Sequence, residues 1–455
     1  MKNSFMFQIL GILFLLVSCS PEGTPSTEND EGPTTEQERD PSDTQNETQS
    51  GHDADTTLDS ESETLHGSDS TSGQGSDTTH EGTDDEPTNT ETSDSSDDFP
   101  VSGWKVALVG GFHSCALDEN QKLHCWGANF YGEAGNGKWD EELYFPQAIG
   151  DKIWKQIAPG NDYTCGITLE DDLFCWGRSY WGQTGTSQIY TNDGVHVPTP
   201  VDEGSKWKHI ATGSEHSCGI KTDGTLWCWG NNYSSQLGIG EFGSPQSIPV
   251  KVDTEITDWK HVDVAYQYSC ALTTGDELYC FGFLEDEKLQ TKHLKKSPQH
   301  YFEDTRWKTI ALGGVYRCGI QQDDGLYCFG TNGHAQLGNG TRTEQYTTVQ
   351  RIGTDTWKQI AAGDSHTCGV TLAGELYCWG YQQGGRLGNG KNVKEYALTP
   401  QKVGNQTNWL SASVGQWHTC ALNSDGEIYC FGTNEYGQVG NGKSNEMTTT
   451  PALIQ

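Results

Sequence analysis

Trp104, Trp154, Trp207, Trp259, Trp307, Trp357 and Trp409 recur at spacings near fifty residues, and the segments after them repeat one chemistry. Self-similarity at such a period means one supersecondary unit copied along the chain, each copy burying its apolar face only against its neighbours. Trp357-Lys358-Gln359-Ile360-Ala361 opens one copy and breaks at glycine. His366-Thr367-Cys368-Gly369-Val370, a polar turn, Leu376-Tyr377-Cys378-Trp379-Gly380 and a loop rich in Gly and Asn follow. Short runs bounded by turn formers read as strands, so the repeated region is all-β.

Cysteine spacing fixes how two of those strands pair. Every copy holds two cysteines ten positions apart: Cys115 and Cys125, Cys165 and Cys175, Cys218 and Cys228, Cys270 and Cys280, Cys318 and Cys328, Cys368 and Cys378, Cys420 and Cys430. If Cys115 faces Cys125 in an antiparallel hairpin, Leu117 faces Leu123 across a turn from Asp118 to Lys122. The same sum rule pairs Ile167 with Leu173, Ile220 with Leu226, Leu272 with Leu278, Ile320 with Leu326, Val370 with Leu376 and Leu422 with Ile428. An apolar pair results every time, which points to one cross-strand disulfide per copy. Zinc sites use shorter knuckle spacings, and an exported chain meets an oxidising compartment. Each bridge closes a loop of about ten residues and is worth about 2–3 kcal/mol.

Gly363-Asp364-Ser365-His366-Thr367-Cys368, Gly374-Glu375-Leu376-Tyr377-Cys378-Trp379-Gly380 and Arg386-Leu387-Gly388-Asn389-Gly390 together resemble the regulator of chromosome condensation repeat. The likeness recurs from residue 101 to 455, including Gln336-Leu337-Gly338-Asn339-Gly340 and Gln438-Val439-Gly440-Asn441-Gly442. It implies a seven-bladed β-propeller. On this view the last segment, Thr450-Pro451-Ala452-Leu453-Ile454, has no Trp after it and is expected to complete the blade begun at Trp104, hiding edge strands. Repeat four, with Ala265 at the turn glycine and no Gln-Leu-Gly between Phe283 and His293, and repeat two, with Gly182-Gln183-Thr184-Gly185, are where regular ring geometry is least expected.

The chain before the repeats has another character. Lys2 and the apolar run from Phe5 to Val17 form a signal peptide, residues 1–18, too short to span a bilayer. Leu16-Val17-Ser18-Cys19 resembles a bacterial lipobox, which implies lipidation at Cys19; Ser20 after it favours the outer membrane or cell surface. Residues 19–99 are Ser, Thr, Asp, Glu, Gly and Pro with almost no aliphatic residue, a disordered tether with a flexible-coil span of about 50 Å. Of 63 acidic residues in the chain, 24 fall between 20 and 99, against Arg39 alone; the domain from 100 to 455 is only moderately acidic. Nucleic acid and anionic lipid are poor partners for such a charge balance, and the membrane is met by the lipid anchor only.

Chain direction sorts the loops into two ends. The hairpin turns carry acids such as Asp118, Asp171, Asp276 and Asp324, read as solvated turn formers. The other end carries Phe112, Phe130, Tyr131, Tyr180, Trp181, Tyr233, Tyr266, Trp417 and Tyr436, the candidate binding face, because aromatic residues on loops are enriched where partners dock. His113, Tyr163, His216, Tyr268, Tyr316, His366 and His418 stand two before each first cysteine, on the strand face of the cysteine, and are read as packed and hydrogen-bonded, not metal ligands. The repeat-start tryptophans and Trp126, Trp176, Trp229 and Trp379 are core. No nucleophile and base, and no carboxylate pair, breaks the repeat as catalysis requires, so no enzyme activity, cofactor or metal is expected.

The family's founder acts on the GTPase Ran and on chromatin, and an exported chain meets neither. The expected function is an exposed, lipid-anchored binding module for a protein or glycan. The bacterial propeller-type β-lactamase inhibitor, which resembles this chain in repeat pattern and export, makes an inhibitor of a secreted or periplasmic hydrolase the alternative, ahead of a propeller lyase or glycosidase.

Overall fold

In a computed structural model the described residues are 103–191, 193–285 and 292–454, so the signal peptide, Cys19 and the acidic tether lie outside them. Among the described residues twenty-seven strands form antiparallel sheets of four, seven in all, the first two joined because the nineteen-residue strand Glu141–Pro159 is the outer strand of one and the inner strand of the next. The blades cover residues 104–153, 154–200, 207–251, 259–301, 307–351, 357–402 and 409–453, numbered 1 to 7 here. Each runs inner strand, central hairpin, outer strand.

The hairpin register is the one the cysteines demand. Cys115 faces Cys125 and Leu117 faces Leu123, with equivalent pairs through Leu422 and Ile428. All seven disulfides are formed within their blades: 115–125, 165–175, 218–228, 270–280, 318–328, 368–378 and 420–430.

Between blades the repeated polar residues form belts. The backbone N–H of each repeat-start tryptophan donates to the preceding blade's hairpin turn: Trp154 to Gln121, Trp207 to Asp171, Trp259 to Gly224, Trp307 to Asp276, Trp357 to Asp324, Trp409 to Gly374 and Trp104 to Gly426. Deeper in, His113 bonds Thr164 at 2.8 Å, Tyr163 bonds Ser217 at 2.9 Å, His216 bonds Ser269 at 2.8 Å, Tyr316 bonds Thr367 at 2.7 Å, His366 bonds Thr419 at 2.9 Å and His418 bonds Ser114 at 2.8 Å. Tyr268 fills the remaining step by donating to the Tyr316 and Gly313 carbonyls. Both belts return to blade 1, so the seven blades close a ring.

A third element explains the Gln-x-Gly motif. The Gln438 carbonyl accepts both Ser114 Oγ and Trp126 Nε1 of the next blade, and Gln336 serves Thr367 and Trp379 alike. The glycine two residues on lies under that indole: a Cβ on Gly338 would sit 2.5 Å from Trp379 Nε1, and φ there is +72°. Buried tryptophans, apolar hairpin pairs and disulfides thus pack as continuous clusters from blade to blade.

Three sequence expectations need correcting. Thr448–Leu453 pairs with Ile428–Gly432 and so completes blade 7, not the blade begun at Trp104. Among the described residues no strand is exchanged at the seam; side-chain packing and the Ser114–His418, Val109–Ser413 and Trp126–Gln438 hydrogen bonds close it. Repeats two and four keep regular register and both belts; Ala265 is buried at the ring, and blade 4 replaces the glycine-rich loop by longer strands, Leu278–Glu285 and Lys292–Tyr301, with residues 286–291 outside those described. Trp104, at the seam, is half-buried, unlike the six other repeat-start tryptophans.

Candidate functional site

Inner strands are followed by a glycine, or by Ala265 in blade 4, and the residue after it lies at the ring axis. Gly111, Asn161, Ser214, Tyr266, Gly314, Asp364 and Gln416 occupy that position in blades 1 to 7 and line the mouth of the central channel. Here the repeat is broken by chemistry. Tyr266 donates to Asp364, and Gln416 Nε2 donates to Asn161 Oδ1 at 2.6 Å and to Tyr266 at 2.9 Å, joining blades 2, 4, 6 and 7 across the mouth. Burial pushes the Asp364 carboxyl up, opposed by the Tyr266 bond and by Arg386.

Outside this plug lie the loops between the third and fourth strands, and most of the candidate aromatics are there. Trp181 packs edge-to-face against Tyr180, Tyr233 and Tyr190, with centroids 4.9, 5.6 and 6.3 Å away. Tyr233 is 53% exposed, and Tyr190 is equally open. Arg178 holds Asp162 at 3.1 Å and lies 4.9 Å from the Tyr131 ring centroid. Between this cluster and the axis runs a cleft of about 490 Å³, lined by Trp181, Arg178, Asp162, Glu215, Gln267 and Tyr266 among others. Phe112 and Phe130 both meet the edge of Tyr436, at 5.5 and 5.2 Å, across the seam. Trp417 stands over the Arg386 guanidinium at 4.5 Å.

All nine candidate residues therefore fall on one end of the ring, but not as equals. Trp417, Tyr233 and Phe130 are exposed; Phe112, Tyr131, Tyr180, Trp181 and Tyr436 are half-buried. The hydroxyl of Tyr266 is committed to the axial plug. Sequence reading missed Tyr190, nine residues after Trp181 in the same loop, and it missed two charges in the Gln-x-Gly loops. In blade 1 the glutamine is Glu133, 2% exposed; burial, with Asp162 adding, pushes its carboxyl up to about 7 against backbone N–H groups that favour the anion. In blade 6 it is Arg386, 1% exposed and lowered by burial to about 10. Both were visible as departures from Gln.

The acidic turns at the opposite end are partly exposed and carry local partners. Lys155 pairs with Asp171, Lys206 with Asp172, Lys260 with Asp276, Lys308 with Asp324, Arg351 with Asp323 and Lys402 with Glu375, so much of that charge is answered locally. Exposed pairs of this kind stabilise little. The belt histidines are buried, and burial pushes His113, His216 and His418 down to about 3. Among the described residues no three His, Cys, Asp or Glu side chains gather as a metal ion needs.

Family models of the Regulator of chromosome condensation (RCC1) repeat match residues 170–220, 223–272, 323–370, 373–422 and 425–455, with a second model of the repeat at 105–133, 207–236, 357–386 and 410–438. The chain belongs to the RCC1 repeat family. Among solved structures, this RCC1-repeat chain is similar to human WBSCR16, with a TM-score of 0.65 and 21% identity over 73% of this chain and 94% of that one. It is also similar to yeast RCC1 (Prp20), solved bound to Kap60, with a TM-score of 0.64 and 20% identity over 78% and 85%. At such identity the likeness concerns the fold. Curated relatives include the Ultraviolet-B receptor UVR8 of Arabidopsis thaliana, 27% identical over 54% of this chain and 46% of UVR8. Mitochondrial RUG3 of Arabidopsis thaliana is 32% identical over 20% of this chain and 21% of RUG3. The matched stretches thus span less than half of either relative.

Proposed function

We propose that this RCC1-repeat propeller is an exported, lipid-anchored binding module that docks a protein or glycan through its aromatic loop end and performs no chemistry. One observation carries the reading: Tyr180, Trp181, Tyr190 and Tyr233 form a continuous, partly exposed cluster beside a cleft carrying Asp162, Glu215 and Arg178. Rigid aromatic anchors beside fixed polar groups suit recognition, since they lose little conformational entropy on binding. Solved structures of the family give precedent, yeast RCC1 (Prp20) having been crystallised with Kap60. Those partners belong to those proteins, and an exported chain needs others. Lipidation at Cys19 and the acidic tether would hold such a domain away from the envelope surface.

The test is capture of envelope and secreted fractions on the immobilised full chain, with Trp181→Ala/Tyr233→Ala alongside. Loss of the captured species in the variant, at an unchanged melting temperature, is the expected result. Equal capture by both proteins would remove the aromatic cluster from the site. Palmitate labelling that disappears in Cys19→Ala tests the anchor.

A further inference from the structure

Blade 6 departs from the repeat at two linked places. In blades 1, 2, 3, 5 and 7 the side-chain oxygen of Glu133, Gln183, Gln236, Gln336 or Gln438 accepts the backbone N–H of the residue two before it: Tyr131, Trp181, Ser234, His334 or Tyr436. In blade 6 those positions are Arg386 and Gly384. Arginine has no acceptor to offer, and the Gly384 N–H goes instead to Asn392 Oδ1 at 2.9 Å. Gly384 has φ +79°, a backbone that an aromatic residue resists. The aromatic side chain found at this position in blades 1, 2 and 7 is thus missing, and a pocket of about 300 Å³ opens in its place.

The floor of the pocket is a buried guanidinium with no carboxylate in ion-pair contact among the described residues. Arg386 Nε donates to the Gln383 carbonyl at 2.6 Å, and Nη1 reaches Ser365 Oγ at 2.8 Å and the Gln416 carbonyl at 3.3 Å. Nη2 is buried and has no acceptor. Among the described residues Arg386 makes no ion pair; Asp364, whose field reaches it, is bound to Tyr266. Stacking on Trp417 and Tyr381 offsets part of the cost of burying the cation, not all of it. The missing Cβ of Gly384 would lie 3.5 Å from Nη2 and 2.7 Å from Thr433 Oγ1, so a side chain there would stand between these two donors and the pocket. The walls are Trp417, Phe112, Tyr436 and Met447, with Glu435 at the edge.

We propose that this pocket binds a carboxylate carried on an apolar or aromatic body, the carboxylate over Gly384 toward Arg386 and Thr433, the body against Trp417 and Phe112. Nη2 is the guanidinium nitrogen left free, which suits a singly charged group, and Glu435 disfavours a dianion such as phosphate. A polyhydroxylated sugar acid would leave its hydroxyls facing apolar walls. The inference rests on the reading of this end as a binding surface and names the ligand chemistry of one part of it. The same chemistry is offered by a free small acid and by the C-terminus of a peptide ending in an aromatic residue.

The experiment is calorimetric titration of the full chain with 3-phenylpropionate, its amide, and a short peptide ending in Phe with free or amidated C-terminus. Binding of an acid at least tenfold tighter than its amide is expected, and a peptide tenfold tighter than the small acid would identify a chain terminus as the source. Arg386→Gln, which installs the residue blades 2, 3, 5 and 7 use, should weaken acid binding at least tenfold, and Thr433→Val several-fold. Acid and amide binding alike, undiminished binding by Arg386→Gln, or no binding of any probe by the folded wild type would each overturn the proposal. Trp181→Ala/Tyr233→Ala should leave probe binding unchanged, so envelope capture and carboxylate binding can fail separately.

Discussion

Replacing Glu133 with glutamine restores the residue found at the same place in Gln183, Gln236, Gln336 and Gln438, and it should change stability by an amount that depends on pH. The glutamine oxygen can accept the Tyr131 N–H as Gln438 accepts that of Tyr436, and the backbone carbonyl that holds Thr164 and Trp176 is untouched. Glu133 titrates near 7 in the fold against 4.5 unfolded, so between those values the folded chain keeps a proton that the unfolded chain has lost. The stability contributed by that proton is complete below pH 4.5, declines through the window and is gone above 7, a change of about 3 kcal/mol. Glutamine has no such dependence. Urea unfolding followed by tryptophan fluorescence should therefore give nearly equal stabilities for wild type and Glu133→Gln at pH 4, and a variant about 3 kcal/mol more stable at pH 8. The belt histidines affect both proteins equally and cancel. An equal difference at the two pH values, or a variant weaker at pH 8, would refute the assignment of a buried, desolvated carboxyl.

Ser114→Ala removes the hydroxyl that receives His418 across the seam and should cost about 2 kcal/mol in urea unfolding, since a buried donor is left unpaired; a loss below about 0.5 kcal/mol would mean the seam is held otherwise. Cys420→Ser/Cys430→Ser opens one staple and should cost about 2–3 kcal/mol, measured the same way without reductant. His113 stays neutral in the fold far below its unfolded value of 6.5, so its contribution is present at pH 7 and lost as pH falls from 6.5 toward 3. His113→Gln, which keeps a donor for Thr164, should therefore flatten the acid limb of the stability profile by about 1.4 kcal/mol per pH unit; an unaltered slope would show that His113 is solvated. Gly338→Ala sets a methyl against Trp379 and should lower the melting temperature by several degrees more than Gly353→Ala, whose backbone is equally left-handed at φ +65° but has open space around it.

Spacing carried the hairpin register, the disulfide pairing, the number of repeats and the sorting of loops to two ends, because each follows from a period repeated seven times; that the repeats are blades of a propeller came from the family resemblance. What spacing did not carry is the partner of each repeated group. The serine or threonine before the first cysteine of every repeat but the fifth, where Arg317 stands, looks like an ordinary strand residue until the neighbouring blade's histidine or tyrosine is placed beside it, as with Ser114 and His418, Thr367 and Tyr316, and Thr419 and His366. The end of the chain was misread for a related reason: the likeness of Thr450–Ile454 to the segments before each tryptophan gave its strand type but not the blade it joins, which only pairing with Tyr429 and Cys430 decides. The axial plug was invisible because Asn161, Tyr266, Asp364 and Gln416 sit at a variable position of the turn, far apart in sequence and joined only at the axis.

The two belts and the glycine wedge leave particular positions free, and that freedom locates function. In each Gln-x-Gly loop the first carbonyl and the second glycine are committed to the next blade, while the two residues before the turn, Phe130 and Tyr131, Tyr180 and Trp181, Tyr233 and Ser234, Gly333 and His334, Gln383 and Gly384, Glu435 and Tyr436, serve no neighbour in the belts. These positions can change without opening the ring, and they change in order around it: aromatic in blades 7, 1, 2 and 3, small or polar in blades 5 and 6, with blade 4 lacking the loop motif. A symmetric scaffold thus presents an asymmetric face, one arc aromatic at these positions, the other opened over a buried cation. A ligand that spans the boundary at Trp417 would meet both arcs, and its orientation would be set by which end carries the charge.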